Sequence, residues 1–432
     1  MGGDSDLISV RVPGDKSISH RALMLASLAE GVSRIRGLSR GADVLTTAAA
    51  LRALGANVRV PEEDGPVLIE GPVDFRDPED TIDCGNSGTT ARMLLGLIAG
   101  RPIRATLDGD ASLRRRPMAR VVDPLRTAGA RVRELGQPGR LPLEIRGGSL
   151  AAIEHVGLTA SAQVKSALLL AGLAARVPVS VNEPGPSRDH TERMLNAMGA
   201  EVHTREAETG FLVRYRPGSP LRPLDLTVAG DFSSAAYWLA LALVGAAGSS
   251  LRVEGVGLNP RRTGLLRVLS AMGGAVESEV NGEVAGEPIG SVTARPSSLR
   301  GVSVRADWVP TLIDELPLLA CLAATAEGTT RITGASELRV KESDRLATVQ
   351  RGLRGLGVSS RELDDGLEVV GRRAGLSGRV KTEGDHRMAM SFGILGAVAG
   401  NAIEVDDRDS VAISYPGFWA ELSRIREAAE GE

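Results

Sequence analysis

The sequence predicts an α/β protein built from six similar units, arranged as two groups of three. Three observations carry this expectation. The chain has 432 residues, more than one ordinary hydrophobic core accommodates. A helix-opening pattern recurs six times along it, at intervals of roughly 70 to 83 residues. A second marker, a helix end of the form Leu-x-x-x-Gly followed by a strand-like stretch, keeps the same rhythm. One large α/β barrel with coincidental spacing is the alternative, and the agreement of the two markers speaks against it.

The helix openings begin at Ser17, Ser87, Ser161, Asp231, Asp314 and Asp385, each followed by a run rich in Ala and Leu. Ser and Asp at such positions accept hydrogen bonds from the first free N–H groups of a helix. The second marker runs Leu51 to Gly55, Leu125 to Gly129, Leu195 to Gly199 and Leu269 to Gly273, with a weaker copy from Leu353 to Gly357. Each reads as a helix ending at a glycine. The sixth unit ends instead in a helix near Trp419. The Pro-rich stretch Pro217–Pro223 lies near mid-chain and is the linker that local composition suggests.

Composition narrows the function. Lys and Arg number 51 against 54 Asp and Glu, a net charge of −3, and aromatics are only 3%. No global field attracts nucleic acid, and few rings are present to stack bases. The longest apolar run, Ala235 to Ala247, is too short for a bilayer and reads as a buried helix. Two cysteines, Cys84 and Cys321, form neither a disulfide framework nor a zinc site by themselves. With no apolar stretch resembling a signal peptide between Met1 and Ser17, a cytoplasmic location is expected.

The polar chemistry sits at the helix openings. Gly14-Asp-Lys16-Ser17 precedes Arg21, so a glycine turn, a helix N-terminus and two cations fall together, an arrangement suited to phosphate or carboxylate. Cys84-Gly-Asn86-Ser-Gly88-Thr-Thr combines two glycines with three hydroxyls. Arg114-Arg115-Arg116 precedes Pro117, a residue suited to a helix start. Ser161, Gln163 and Lys165 open the third helix, and Ser187-Arg188-Asp189-His190 another, where Ser187 is the simplest cap. The fifth unit holds Asp314-Glu315 and then Arg339-Val-Lys341-Glu342-Ser-Asp-Arg345. Lys341 and Arg345 at helical spacing repel unless both face an anion. Asp385-His386-Arg387 opens the sixth. Each motif alone also reads as an ordinary cap or a solvated charge run. If the openings of both groups face one cleft, an acidic protein acquires a cationic interior with two carboxylates, Asp314 and Glu342, available for proton transfer.

Four strings, Gly14-Asp-Lys-Ser-Ile-Ser-His-Arg21, Gly85-Asn-Ser-Gly-Thr89, Arg339-Val-Lys-Glu-Ser-Asp-Arg345 and Asp385-His-Arg-Met-Ala-Met390, resemble the 5-enolpyruvylshikimate-3-phosphate (EPSP) synthase family, in order and across essentially the whole chain. The resemblance implies a two-domain enolpyruvyl transferase fold of six βαβαββ repeats, three per domain, hinged around an interdomain cleft. It places one domain at residues 14–228 and the other at 1–13 plus 229–432, which moves the linker from the Pro-rich stretch to the crossings near Val12–Gly14 and Val228–Gly230.

It also implies a reaction: phosphoenolpyruvate gives its enolpyruvyl group to the 5-hydroxyl of shikimate-3-phosphate, and phosphate leaves. By residue-wise transfer, Lys16, Ser17, Arg21, Ser161, Ala162, Gln163, Arg188, Asp314 and Lys341 hold shikimate-3-phosphate. Lys16, Asn86, Gly88, Arg116, Gln163, Arg345 and Arg387 line the phosphoenolpyruvate site. Lys16, Asp314 and Glu342 are the expected catalytic residues. No metal or organic cofactor is implied; the expected partners are the two substrates and glyphosate as inhibitor, with the protein a monomer. Two positions depart from relatives, Ile413 where many have a donor-binding lysine and Glu337 where some have Asn, as in a divergent, class II-like branch of the family. The sister reaction on UDP-N-acetylglucosamine is the nearest rival, but the cysteine its enzymes carry near Arg114–Met118 is absent. A non-catalytic anion-binding scaffold is the rival of another class.

Overall fold

The computed structural model describes residues 7–61, 65–208, 210–372 and 375–430. The first six residues of the segment expected to start the second domain lie outside this set. The chain divides into two compact units. One comprises Met1–Pro13, Ala229–Gly282 and Pro288–Glu432, the other Gly14–Val228 and Glu283–Glu287. They are called here the split unit and the central unit.

The repeat is visible in the strand pairing. In the central unit Ile82–Asp83 runs parallel to Arg104–Asp108, with the helix Gly88–Ala99 as the crossover. Leu143–Arg146 adds antiparallel to Arg104–Asp108, and Arg131–Glu134 adds antiparallel to Leu143–Arg146. With the helix Ala119–Thr127 before this last pair, the order is βαβαββ. The same pattern recurs from Ile153–Val156 to Gly210–Arg216. In the first repeat the parallel partner of Gly31–Arg36 is Asp225–Thr227, supplied from the far end of the unit. The Pro-rich stretch therefore lies inside this unit, ahead of that strand, with Leu221 and Leu224 buried.

The split unit carries two such four-stranded sheets, one headed by Leu7–Arg11 alongside Ser250–Gly257 and one by Ser303–Val304 alongside Thr329–Ile332. Among the described residues its third sheet has two strands, Ser377–Val380 and Ala402–Val405, and the helix Phe418–Glu430 follows where the other repeats have their hairpin. Each unit has its own apolar core of Ala, Leu, Val and Ile, and the Phe232–Leu243 helix of the split unit is buried on every side.

Local signals in the repeat have a direct physical expression. Gly55, Gly129, Gly199, Gly273 and Gly357 adopt φ of 102°, 116°, 91°, 84° and 80°. At each, the glycine N–H and the next N–H bond back to carbonyls of the last helical turn, as when Gly55 bonds to Arg52 and Ala56 to Leu51. This is the Schellman closure, which needs a residue free to take positive φ. At the openings, Ser87, Ser161, Asp231 and Asp385 accept hydrogen bonds from N–H groups of the first turn, while the first opening is capped by Asp15, with Ser17 already inside the helix. The Asp314 opening differs: Ile313–Glu315 is a 3₁₀ turn leading into Leu316–Thr325, without a side-chain cap.

Candidate active site

In the central unit the helix Lys16–Ala26 presents Lys16, Ser17 and Arg21 along its first turns. The Lys16 ammonium pairs with the largely buried Asp43 carboxylate. Arg21 is buried, and its guanidinium donates to Thr191 Oγ1 at 2.7 Å, to Ser166 Oγ at 2.8 Å and to the Ser17 carbonyl at 2.9 Å. Burial pulls the Arg21 pKa down to about 10, against the opposing pull of Glu192 and Asp15, so the group is charged at neutral pH.

Behind this helix lies a chain of buried hydroxyls. His20 Nδ1 meets Thr47 Oγ1 at 2.7 Å, Thr47 meets Thr90 Oγ1 at 2.6 Å, and Thr90 donates to Ser87 Oγ at 2.7 Å. Ser87 is the cap of the Gly88–Ala99 helix, so the two helix openings are held in register through His20. Burial, reinforced by Lys16 and Arg21, pushes His20 well below its ordinary pKa. A base depressed on folding binds its proton more tightly in the unfolded chain, so stability falls as pH drops below about 6.5, by up to about 1.4 kcal/mol per pH unit. Urea unfolding from pH 7 to pH 5 is expected to show this slope in the parent and a shallower one in His20→Asn. Equal slopes would sink the assignment.

The second opening gathers Asn86, Gly88, Arg92, Arg116 and Gln163. Arg116 donates to Asn86 Oδ1 at 2.7 Å, and Asn86 Nδ2 donates to Asp110 at 2.7 Å. Arg92 donates to Gln163 Oε1 at 2.7 Å, and Gln163 Nε2 donates to Thr89 at 2.9 Å. Gln163 belongs to the Ala162–Ala175 helix, so these bonds tie the second and third openings together. Arg116 closes the short helix Ala111–Arg115 and the next helix starts at Ala119, two residues beyond Pro117.

Ser187 is no cap. Its hydroxyl donates to Glu183 Oε2 at 2.8 Å, and Asp189 occupies the cap position of His190–Ala197 without bonding its side chain to the first-turn N–H groups, its carboxylate pairing instead with Arg193 Nε at 3.0 Å. Glu183 also accepts the Ser161 N–H at 2.9 Å. The fully buried Lys165 ammonium lies 2.9 Å from Glu183 and 2.8 Å from Glu192. Burial lowers the Lys165 pKa, but Glu192 and Glu183 outweigh it and hold the ammonium above its ordinary value. Arg188 is half-buried and lowers the Arg21 pKa by charge repulsion.

The split unit assembles a second cluster around Arg345, which is almost fully buried. It donates to both Asp385 oxygens at 2.8 and 3.2 Å, pairs with Glu342 at 2.6 Å and lies 3.7 Å from Asp314. Burial alone lowers its pKa, yet Asp385 and Glu342 raise it above the ordinary arginine range. Asp385 shows the converse: burial raises its pKa, and Arg345 prevails to hold it below the ordinary carboxylate range. Arg387 lies 3.8 Å from Asp314 Oδ2 and 3.7 Å from Glu315. Lys341 precedes the Arg345–Gly355 helix in extended conformation, so it and Arg345 do not share a helical face as their spacing suggested. Lys341 is half-buried, and so is Ile413, at the end of the 3₁₀ turn Asp409–Ile413.

Sequence reading therefore singled out residues that fall together within each unit: Lys16, Ser17 and Arg21; Asn86, Gly88, Arg116, Ser161, Ala162 and Gln163; Asp314, Glu342, Arg345 and Arg387. It missed Arg92, Glu183, Glu192 and Arg262, and the burial of Lys165, because the partners of these residues are remote in sequence. No helix of the described residues is long and apolar enough to cross a membrane.

Known proteins resemble this chain over nearly its whole length. Residues 8–422 match the profile of the family described as EPSP synthase (3-phosphoshikimate 1-carboxyvinyltransferase). A 3-phosphoshikimate 1-carboxyvinyltransferase of Thermus thermophilus is 50% identical over 425 residues, covering 97% of this chain and 96% of the relative. One from Synechococcus sp. strain RCC307 is 46% identical over 434 residues, covering 99% and 98%. Among solved structures, EPSP synthase from Acinetobacter baumannii superposes with a TM-score of 0.83 at 38% identity, over 97% of this chain and 95% of that one. The enolpyruvyl transferase NikO from Streptomyces tendae shares the fold, with a TM-score of 0.74 at 21% identity over 96% and 94%. The chain belongs to the EPSP synthase family.

Proposed function

We propose that the chain transfers the enolpyruvyl group of phosphoenolpyruvate to the 5-hydroxyl of shikimate-3-phosphate, releasing phosphate, in the shikimate pathway, with the roles that follow. Lys16, Ser17, Arg21, Ser161, Ala162, Gln163, Arg188, Asp314 and Lys341 hold the acceptor. Lys16, Asn86, Gly88, Arg116, Gln163, Arg345 and Arg387 hold the donor. The cations position two anions that otherwise repel, which supplies much of the orientation a bimolecular addition needs.

The donor's methylene carbon takes a proton, positive charge develops on the neighbouring carbon, and the acceptor oxygen adds there as it loses its own proton. The tetrahedral adduct then expels phosphate and returns a proton from the methyl carbon, restoring the double bond. Glu342 delivers and recovers the proton at the methylene carbon, with Lys16 assisting, and Asp314 takes the hydroxyl proton. The observation that carries this reading is that both carboxylates lie within ion-pair reach of one buried arginine, Arg345. The enzyme works as a monomer in the cytoplasm.

Phosphate release with both substrates tests the reading. Turnover is expected with shikimate-3-phosphate and not with UDP-N-acetylglucosamine as acceptor; no release with saturating shikimate-3-phosphate would overturn it. Glyphosate is expected to compete with phosphoenolpyruvate. A Cβ added at Gly88 would meet Arg92 Nη1 at 2.7 Å and Arg116 Nη1 at 3.3 Å. Both are ends of flexible side chains, so Gly88→Ala folds but shifts the cations that hold the anion. Inhibition is expected to weaken by about tenfold or more, as one methyl in a tight pocket can cost. Inhibition curves that superpose with the parent's count against this geometry.

A further inference from the structure

Arg262 was silent in the sequence, yet it sits in the most heavily charged part of the split unit. Its Nη1 donates to both oxygens of Glu315, at 2.9 and 2.8 Å. Arg262 is 3% exposed and Glu315 2%, so the pair is closed to water. Ser233 lies between them and Arg387. Its hydroxyl donates to Glu315 Oε1 at 2.5 Å and accepts from Arg262 Nη2 and, at 2.9 Å, from Arg387 Nη1. Glu315 thus stands between two arginines, hydrogen-bonded directly to Arg262 and held by Arg387 only in a longer ion pair of 3.7 Å. Arg387 stops 3.7 Å from Glu315 and 3.8 Å from Asp314, and its side chain donates to Ser233 Oγ and the Asp314 carbonyl, both neutral acceptors.

We propose that Arg262 is a positioning residue that occupies the Glu315 carboxylate and thereby leaves the charge of Arg387 for the donor's anion. This rests on the assignment of Arg387 to phosphoenolpyruvate. A buried carboxylate that loses its hydrogen-bonded cation is strongly disfavoured, so in the absence of Arg262 the Glu315 group closes on Arg387, and a small side-chain shift converts their 3.7 Å ion pair into a direct hydrogen-bonded one. The donor then competes with an internal anion for the same guanidinium. A residue that only packs the core would not act through the charge of Glu315.

The test is steady-state kinetics on purified full-length variants. Arg262→Met is expected to raise KM for phosphoenolpyruvate roughly tenfold or more, one charge-assisted contact's worth, with KM for shikimate-3-phosphate little changed. Adding Glu315→Gln removes the competing charge and is expected to bring the donor KM back toward the parent's. If Arg262→Met is not recovered folded, Arg262→Gln replaces it, since it also removes the cation while keeping a hydrogen-bond donor for the buried site. A folded Arg262 variant with unchanged donor KM overturns the proposal, as does a double variant no better than the single one. Failure of the parent to turn over would instead refute the reaction, which the same plate reports.

Discussion

Lys16→Ala is expected to abolish most turnover while leaving a folded protein. Lys16 stands at the first helical position of Lys16–Ala26, where unpaired N–H groups already favour an anion. Its ammonium supplies a full charge and a proton donor near the same point. Losing one preorganised donor of this kind costs about a hundred- to a thousandfold in rate. The substitution also leaves Asp43, 5% exposed, without its cation. That effect is separable: Lys16→Ala with Asp43→Asn removes the unpaired charge and is expected to regain thermal stability without regaining turnover. Recovery of rate alongside stability would show that Lys16 acts only by neutralising Asp43, and near-parent rates in the single variant would dismiss it from catalysis.

How much of this was legible in the residues follows from the range of the interaction. The five Schellman glycines and the caps at Ser87, Ser161, Asp231 and Asp385 are contacts within one helical turn, and their residue types announce them, whereas the first opening is capped by Asp15 and not by Ser17, at which the sequence pattern begins. The clustering of Lys16 with Arg21, or of Glu342 with Arg345, is likewise local. Lys341 shows the limit of spacing: four residues from Arg345, it precedes the helix, because Asp344 caps there and Lys341 itself is extended. The ties that give the site its shape join distant segments. Arg262 meets Glu315, Lys165 meets Glu183 and Glu192, and Gln163 meets Arg92. A charged residue is most often solvated, so nothing local marks these as buried partners. The same holds for the turn Glu283–Glu287, which groups with the central unit and whose contacts there include His190 meeting Glu287 at 2.7 Å and Arg193 donating to the Gly286 carbonyl.

Lys165→Met carries the largest expected cost in stability. The ammonium is 0% exposed and lies between Glu183 and Glu192, themselves 3% and 4% exposed. Methionine fills much the same volume, so cavity formation contributes little. What changes is charge: two carboxylates face each other in a dry interior with no cation between them. Breaking a buried pair from one side costs about 3–5 kcal/mol, which for a unit of this size lowers its melting temperature by roughly 6–20 °C. Glu183 is also the acceptor for the Ser161 N–H and the Ser187 hydroxyl, so its displacement is expected to raise KM for shikimate-3-phosphate and leave the donor KM nearer the parent's. Lys165→Met combined with Glu192→Gln leaves one buried carboxylate that retains two donors, and recovery of most of the lost stability is expected. Differential scanning of the parent, the single and the double variants decides the point. A single variant that melts with the parent means water reaches the two glutamates, and the network has no electrostatic role; a double variant as unstable as the single one assigns the loss to packing around the lysine stem.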